Sequence, residues 1–405
     1  MKKRLLFVFF VFLVVFPGCA RNQTLAGEIR KIAAPYAFSI PEWELESLSQ
    51  EIDQHIHNPA PENSTDSDVV IAYFNLIAQQ SGIRIKIKNI EGGFDQGDIP
   101  SLEAQLDELE VQSDKIQRQT EEIVSRQIAL AAANVGIYNP ADSYWSLRFN
   151  FPPVELRLTA PPQVLVVSPL DKIEEIDTVT LQPDTSLEED IALENAVQAL
   201  GVSALVVDIG GIATYPSFVN NVYGIQTAIS IASEEWFHQY MFFRPLGFRY
   251  ALNELGIIRN QDIVTMNETL AGIVSGEISQ RVYQRFYPGV VQASSPVSAQ
   301  AAFDFNAEMR LTRQTVDALL DEGKVDEAEQ YMDQRRQFFA DHGYYIRKLN
   351  QAYFAFYGTY ADVPAYENPI GTDMQKLRGK SPTLAAFVQE VSSFTSRADL
   401  TEAVG

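Results

Sequence analysis

A mainly helical α+β fold, with a small sheet set between N- and C-terminal helical regions, is predicted by three features of the 405-residue sequence. Apolar residues recur at helical spacing in a charged background over residues 68–133, and again from Phe305 onward. The middle of the chain switches to short β-rich runs punctuated by Pro and Gly, NFPPVELRLTAPPQVLVVSP and SALVVDIGGIATYPSFV. An apolar run without Gly or Pro between Ile225 and Arg244 then predicts a buried helix. The formal net charge of −22 argues against nucleic acid or an anionic lipid surface as partner.

Taken in order, the chain opens on Met1-Lys2-Lys3-Arg4, an apolar run from Leu5 to Phe16, and Pro17-Gly18-Cys19. A basic start and an apolar run too short to span a bilayer fit a secretory signal over residues 1–18. Cys19 is the single cysteine, so no intramolecular disulfide is available. Its place after the signal resembles a bacterial lipobox, although Phe16 and Pro17 are not the commonest residues before Gly-Cys. The resemblance implies a lipid-modified Cys19 and a body held at the cell membrane, facing outside the cytoplasm. The alternative is an ordinary cleaved signal with an incidental cysteine. The remaining chain is long enough for two or three subdomains.

Residues 19–66 form the anchor-proximal segment, with a helix predicted over Pro41–Ile56 and the linker-like NPAPENSTDSD behind it; His55 and His57 take no role. Residues 67–140 make a helical region, opening on a buried helix from Asp68 to Gln80. Leu102, Leu109, Ile116, Ile123 and Leu130 recur every seven residues and predict one helix from about Ser101 to Ala133. The second seam, Leu106, Ser113, Thr120 and Gln127, is mostly polar, which argues for docking of one stripe on the body rather than a free coiled coil. The α+β core spans 150–290, with strands at Val154–Thr159, Gln163–Val167 and Ala204–Ile209, a helix at Ser186–Leu200, and an edge strand in IATYPSFV after Gly210-Gly211. The C-terminal helical subdomain, 300–405, holds two helices turning near Gly323.

The chemistry-bearing residues begin with Glu234-Glu235-Trp236-Phe237-His238. Glu234 and His238 lie one helical turn apart on one face. That is the ligand spacing of the zincin motif H-E-x-x-H, with Glu235 in the general-base position and Glu234 where a His is expected. The plain alternative is the polar rim of a core helix. Arg244-Pro245 is expected to end the helix, and a second helix to open at Thr265-Met266-Asn267-Glu268. Glu268, thirty residues beyond His238, is either a metal ligand or a first-turn acid facing the helix dipole.

Asn267-Glu268-Thr269-Leu270-Ala271 resembles the N-E-x-x-A segment of gluzincin-type zinc metallopeptidases. With Leu349-Asn350-Gln351-Ala352, Thr359-Tyr360 and Val363-Pro364-Ala365-Tyr366, the second half of the chain looks like a family of bacterial zinc aminopeptidases. The resemblance implies a zincin-like core that binds one zinc ion through Glu234, His238 and Glu268. Glu235 would be the base for attack on a peptide or protein substrate. It also offers Tyr353, Tyr357 and Tyr360 as oxyanion donors, against a packing role for each. Two carboxylates on the ion would lower its Lewis acidity and shift preference toward manganese or iron(II). Gly272 stands where some gluzincins carry the carboxylate that orients the first His, and a Glu ligand has no N–H to orient. The same pair of losses describes a decayed site, hence the alternative of a catalytically inactive relative serving as a cell-surface binding or scaffolding lipoprotein. A di-iron bundle would need a second E-x-x-H, and Glu277 is followed by Arg281 instead.

Overall fold

The computed structural model describes residues 24–38, 65–91, 96–140, 150–183, 185–254, 257–290, 303–357 and 369–405. The signal, Cys19, the Pro41–Ile56 stretch, His55, His57 and the 358–366 part of the C-terminal motif lie outside the described residues. The described chain is mainly helical, with two small sheets. None of its helices is long and apolar enough to cross a membrane.

After the short helix α1 (Leu25–Ala33), helices α2 (Asp66–Glu91) and α3 (Ile99–Asn134) pack as an antiparallel hairpin. Gln80–Ser113, Arg84–Glu110 and Asp66–Arg126 contacts fix its register. The buried stripe of α3 is not the leucine heptad. Leu102, Leu109, Ile116 and Leu130 are only partly buried, whereas Ser113, Thr120 and Gln127 are buried beside Ile123, Val124 and Ile128. The polar seam is tolerated inside because it is satisfied: Gln80 Nε2 donates to Ser113 Oγ at 2.9 Å and Tyr287 OH to Gln127 Oε1 at 2.6 Å.

Two three-stranded sheets follow where one was expected. β1 (Leu156–Leu158), β6 (Ser217–Val219) and β5 (Gly211–Ile212) run in the order β1-β6-β5, with β1 parallel and β5 antiparallel to β6. β3 (Asp177–Leu181), β2 (Gln163–Pro169) and β4 (Val202–Asp208) form an antiparallel sheet in the order β3-β2-β4. β3 was not anticipated, because DTVTL is short and half polar. The IATYPSFV stretch divides into β5 and β6, and the edge strand is the glycine-led β5.

The free edge of β1 is closed by side chains. Gln117 Nε2 donates to the Leu158 carbonyl at 3.1 Å, and Leu158 N donates to Glu121 Oε1 at 2.9 Å. Two residues one turn apart on α3 thus stand in for a neighbouring strand.

The second sheet is covered on both faces, which accounts for the near-continuous apolar run of β2 and β4. On one face α1 and α4 (Leu187–Gln198) pack against Leu165, Val167, Ala204 and Val206. On the other, α10 (Gln351–Tyr357) places Ala352 against Val166, Leu205 and Val207. The Lys348–Ala352 segment is the fastening: Lys348 pairs with the buried Glu194 at 3.0 Å, and Asn350 Nδ2 donates to Ala204 O at 3.1 Å. Tyr353 packs between this sheet and the helical cluster formed with α8 (Phe305–Asp321) and α9 (Val325–Asp341).

Helices α5 (Ile225–Met241), α6 (Pro245–Glu254) and α7 (Gln261–Phe286) build the site. Pro245 does not lead into a loop but opens α6, since a first-turn residue needs no N–H partner. α7 begins a turn earlier than Thr265: Asn260 caps it, its Oδ1 accepting from Ile263 N at 3.3 Å. α7 is the hub of the larger core, packed by α3, α5, α6 and the C-terminal helices α11 (Pro369–Lys380), α12 (Leu384–Val391) and α13 (Arg397–Val404). Its Met266, Leu270, Ala271 and Val274 share that core with Ile229, Trp236 and Phe237 of α5.

Candidate metal centre

Three faces of α5 are used differently. Trp236 and Phe237 enter the core, and Trp236 Nε1 donates to the Pro152 carbonyl at 2.9 Å. Glu235 and Gln239, one turn apart, face the β5–β6 hairpin. Gln239 Nε2 donates to the Thr214 carbonyl at 2.5 Å and Ser217 Oγ at 2.8 Å, pinning the hairpin to the helix. A Cβ on Gly211 would lie 2.6 Å from Ile231 Cγ2 and 2.8 Å from both Glu235 Oε1 and Phe218 O. Glycine is what allows the edge strand to pass this close to Glu235.

The third face carries Glu234 and His238 toward α7, where Glu268 meets them. Each of the three offers one ligand atom, and all three atoms lie within 4.8 Å of one another. His238 Nε2 and Glu268 Oε2 are 3.6 Å apart. Glu268 is buried two turns into α7, which removes the first-turn dipole explanation for it. The sequence-predicted ligands therefore converge, with Glu235 alongside them on the hairpin side.

Two further residues hold the group, and neither had been assigned a role. Tyr250 of α6 stacks on the His238 ring, with centroids 5.5 Å apart and planes at 19°, and its hydroxyl donates to Glu268. Its only sequence signal is its place on the helix between the two ligand helices. Asn267 lies against His238, with Nδ2 3.0 Å from Nδ1. In this orientation Asn267 Oδ1 is buried without a partner. The two ends of an amide are assigned from surroundings. Were the amide turned over, Asn267 Oδ1 would accept from His238 Nδ1–H and the Nε2 lone pair would face the carboxylates. That is the tautomer a metal-binding imidazole requires.

The electrostatics have the same sense. Burial raises Glu234 to about 7, with proximity to Glu268 adding to it and His238 opposing. Burial raises Glu268 to about 7 against the Tyr250 hydrogen bond. Burial, then Glu234 and Glu268, push Glu235 well above the carboxylate range, and burial lowers His238. Among the described residues no Lys or Arg contributes to these shifts. Three desolvated acids and a neutral imidazole thus lack the positive charge that a cation would bring. The Glu234–His238–Glu268 group can hold a metal ion.

Other titratable residues are engaged elsewhere. Glu277 pairs with Arg378 at 2.6 Å, and His342 caps α9 with its ring 4.1 Å from that of Phe303. Comparison with protein-family models, curated proteins and solved structures gives no match to this chain.

Proposed function

We propose that the chain is a metallopeptidase-like protein with a zincin-like core of gluzincin type, anchored at the outer face of the cell membrane through Cys19. The observation that carries this reading is the convergence of Glu234, His238 and Glu268 within 4.8 Å, with Glu235 close enough to feel the charges of Glu234 and Glu268. One zinc ion, or manganese or iron(II) in view of the two carboxylates, would supply Lewis acidity to a water and a peptide carbonyl. Glu235 takes the proton of the attacking water and returns it to the departing amine. Burial raises its proton affinity above that of a solvated carboxylate, and the charge of a bound cation would keep it ionised for that role. Tyr250 and Asn267 fix the directions of Glu268 and His238. β5 pairs on one side only among the described strands, which suits addition of an extended peptide next to Glu235.

The second reading is a catalytically inactive binding or scaffolding lipoprotein. It is favoured by Glu234 in place of a histidine and by Gly272 one turn beyond Glu268. The test is hydrolysis of free and N-acetylated peptide sets by the full chain loaded with zinc, manganese or iron(II). The peptidase reading predicts cleavage that a chelator abolishes and the metal restores. A loaded, folded protein without turnover on any peptide supports the binding module instead.

A further inference from the structure

A cleft of about 850 Å³ is lined by none of Glu234, Glu235, His238 and Glu268, but two helices run from it to them. Asn253 lines the cleft one turn along α6 from Tyr250, which donates to Glu268. Thr265 lines it one turn along α7 from Glu268 itself. The charge of the cleft differs from that of the chain. Five basic and four acidic side chains line it, in a protein where acids outnumber bases 53 to 31.

Most of those bases are engaged. Arg30 pairs with Asp177 at 3.1 Å, Lys172 with Glu174, and Arg313 with Asp317 at 2.8 Å. Arg397 reaches Asp262 at 3.9 Å. Arg259, just ahead of the α7 cap, is exposed at the cleft and makes no ion pair or hydrogen bond among the described residues. A guanidinium in that place presents its fork to a carboxylate.

We infer that this cleft is the specificity subsite of the same centre, and that Arg259 receives a carboxylate of the peptide. The carboxylate is either an acidic side chain or the peptide's own C-terminus. The inference rests on the peptidase reading.

The test is fluorescence anisotropy of labelled peptides with the full, metal-loaded chain in a Glu235→Gln background, so that peptide is not consumed. A glutamate-containing peptide is compared with its glutamine analogue, each with free and amidated C-terminus. The expected result is about tenfold tighter binding of the peptide that keeps the recognised carboxylate. Arg259→Gln abolishes that advantage and Arg259→Lys retains part of it. Loss of the advantage on Glu-to-Gln exchange identifies the side chain as the source, and loss on amidation identifies the terminus. Equal affinities throughout, or a preference that survives in Arg259→Gln, overturn the assignment. Metal content is measured on the same samples. Bound metal without a carboxylate preference defeats the cleft alone. A preference in a chain that binds no metal defeats the peptidase reading and leaves a carboxylate-binding cleft.

Discussion

Glu235→Gln is expected to lower peptide hydrolysis by about 10²- to 10⁴-fold while metal content and fold are kept. The substitution preserves shape and removes a carboxylate that, among the described residues, lies beside the Glu234–His238–Glu268 group without belonging to it. Glutamine cannot take a proton from water, so the loss falls on kcat. Stability should move the other way. Glu235 is desolvated beside two other acids, and its replacement by a neutral amide removes that repulsion. A higher melting temperature with lost turnover would mark a group held for chemistry against the interest of the fold. Loss of metal together with activity would make Glu235 a ligand, and unchanged activity would place the base elsewhere.

The metal-free protein is expected to lose stability as pH rises from 5 to 8. Glu234 and Glu268 ordinarily titrate at 4.5 and are raised to about 7 in the folded chain. Between these values the folded state holds protons that the unfolded state has released. Their contribution is thus complete below 4.5 and lost as pH climbs through about 7. One such shift corresponds to roughly 3 kcal/mol, and two acids this close titrate together rather than additively. His238 acts in the opposite sense, its lowered value destabilising the fold as pH falls below the ordinary 6.5. Glu235, raised as well, acts in the same sense, and three acids against one imidazole leave the downward slope dominant. Urea midpoints across this range should show it, and Glu268→Gln should make the slope shallower. A divalent ion keeps both carboxylates ionised, so its stabilisation should be larger at pH 8 than at pH 5. A flat profile in the metal-free chain would contradict the burial assigned to this group.

The longest helix was legible because its periodicity is local, α3 running over Ile99–Asn134 against an expected 101–133, whereas α2 continues to Glu91, eleven residues past the expected end at Gln80. The face α3 buries was not legible. Ser113 and Gln127 are admitted to the core by Gln80 and Tyr287, the latter 160 residues away, and no window of sequence contains that pairing. Pro245 reads equally as a stop and as a start, and packing against α5 and α7 decided for a start. At the site, the Glu234–His238 spacing is a property of one helix and was readable as such. The arrival of Glu268 depends on how α7 crosses α5, and the short N-E-x-x-A resemblance anticipated it without defining the contact. Beyond the place of Tyr250 between two helices, neither it nor the cleft has a linear signature, because each depends on elements distant in sequence.

The central claim is that Glu234, His238 and Glu268 hold one metal ion. Its most direct test is the metal content of the full chain, purified without chelator and measured by inductively coupled plasma mass spectrometry beside His238→Ala. The account predicts about one equivalent of zinc, manganese or iron per chain in the natural protein, and its loss in a variant that circular dichroism shows to be folded. A folded natural chain that takes up none of these ions, even on reconstitution, would contradict it.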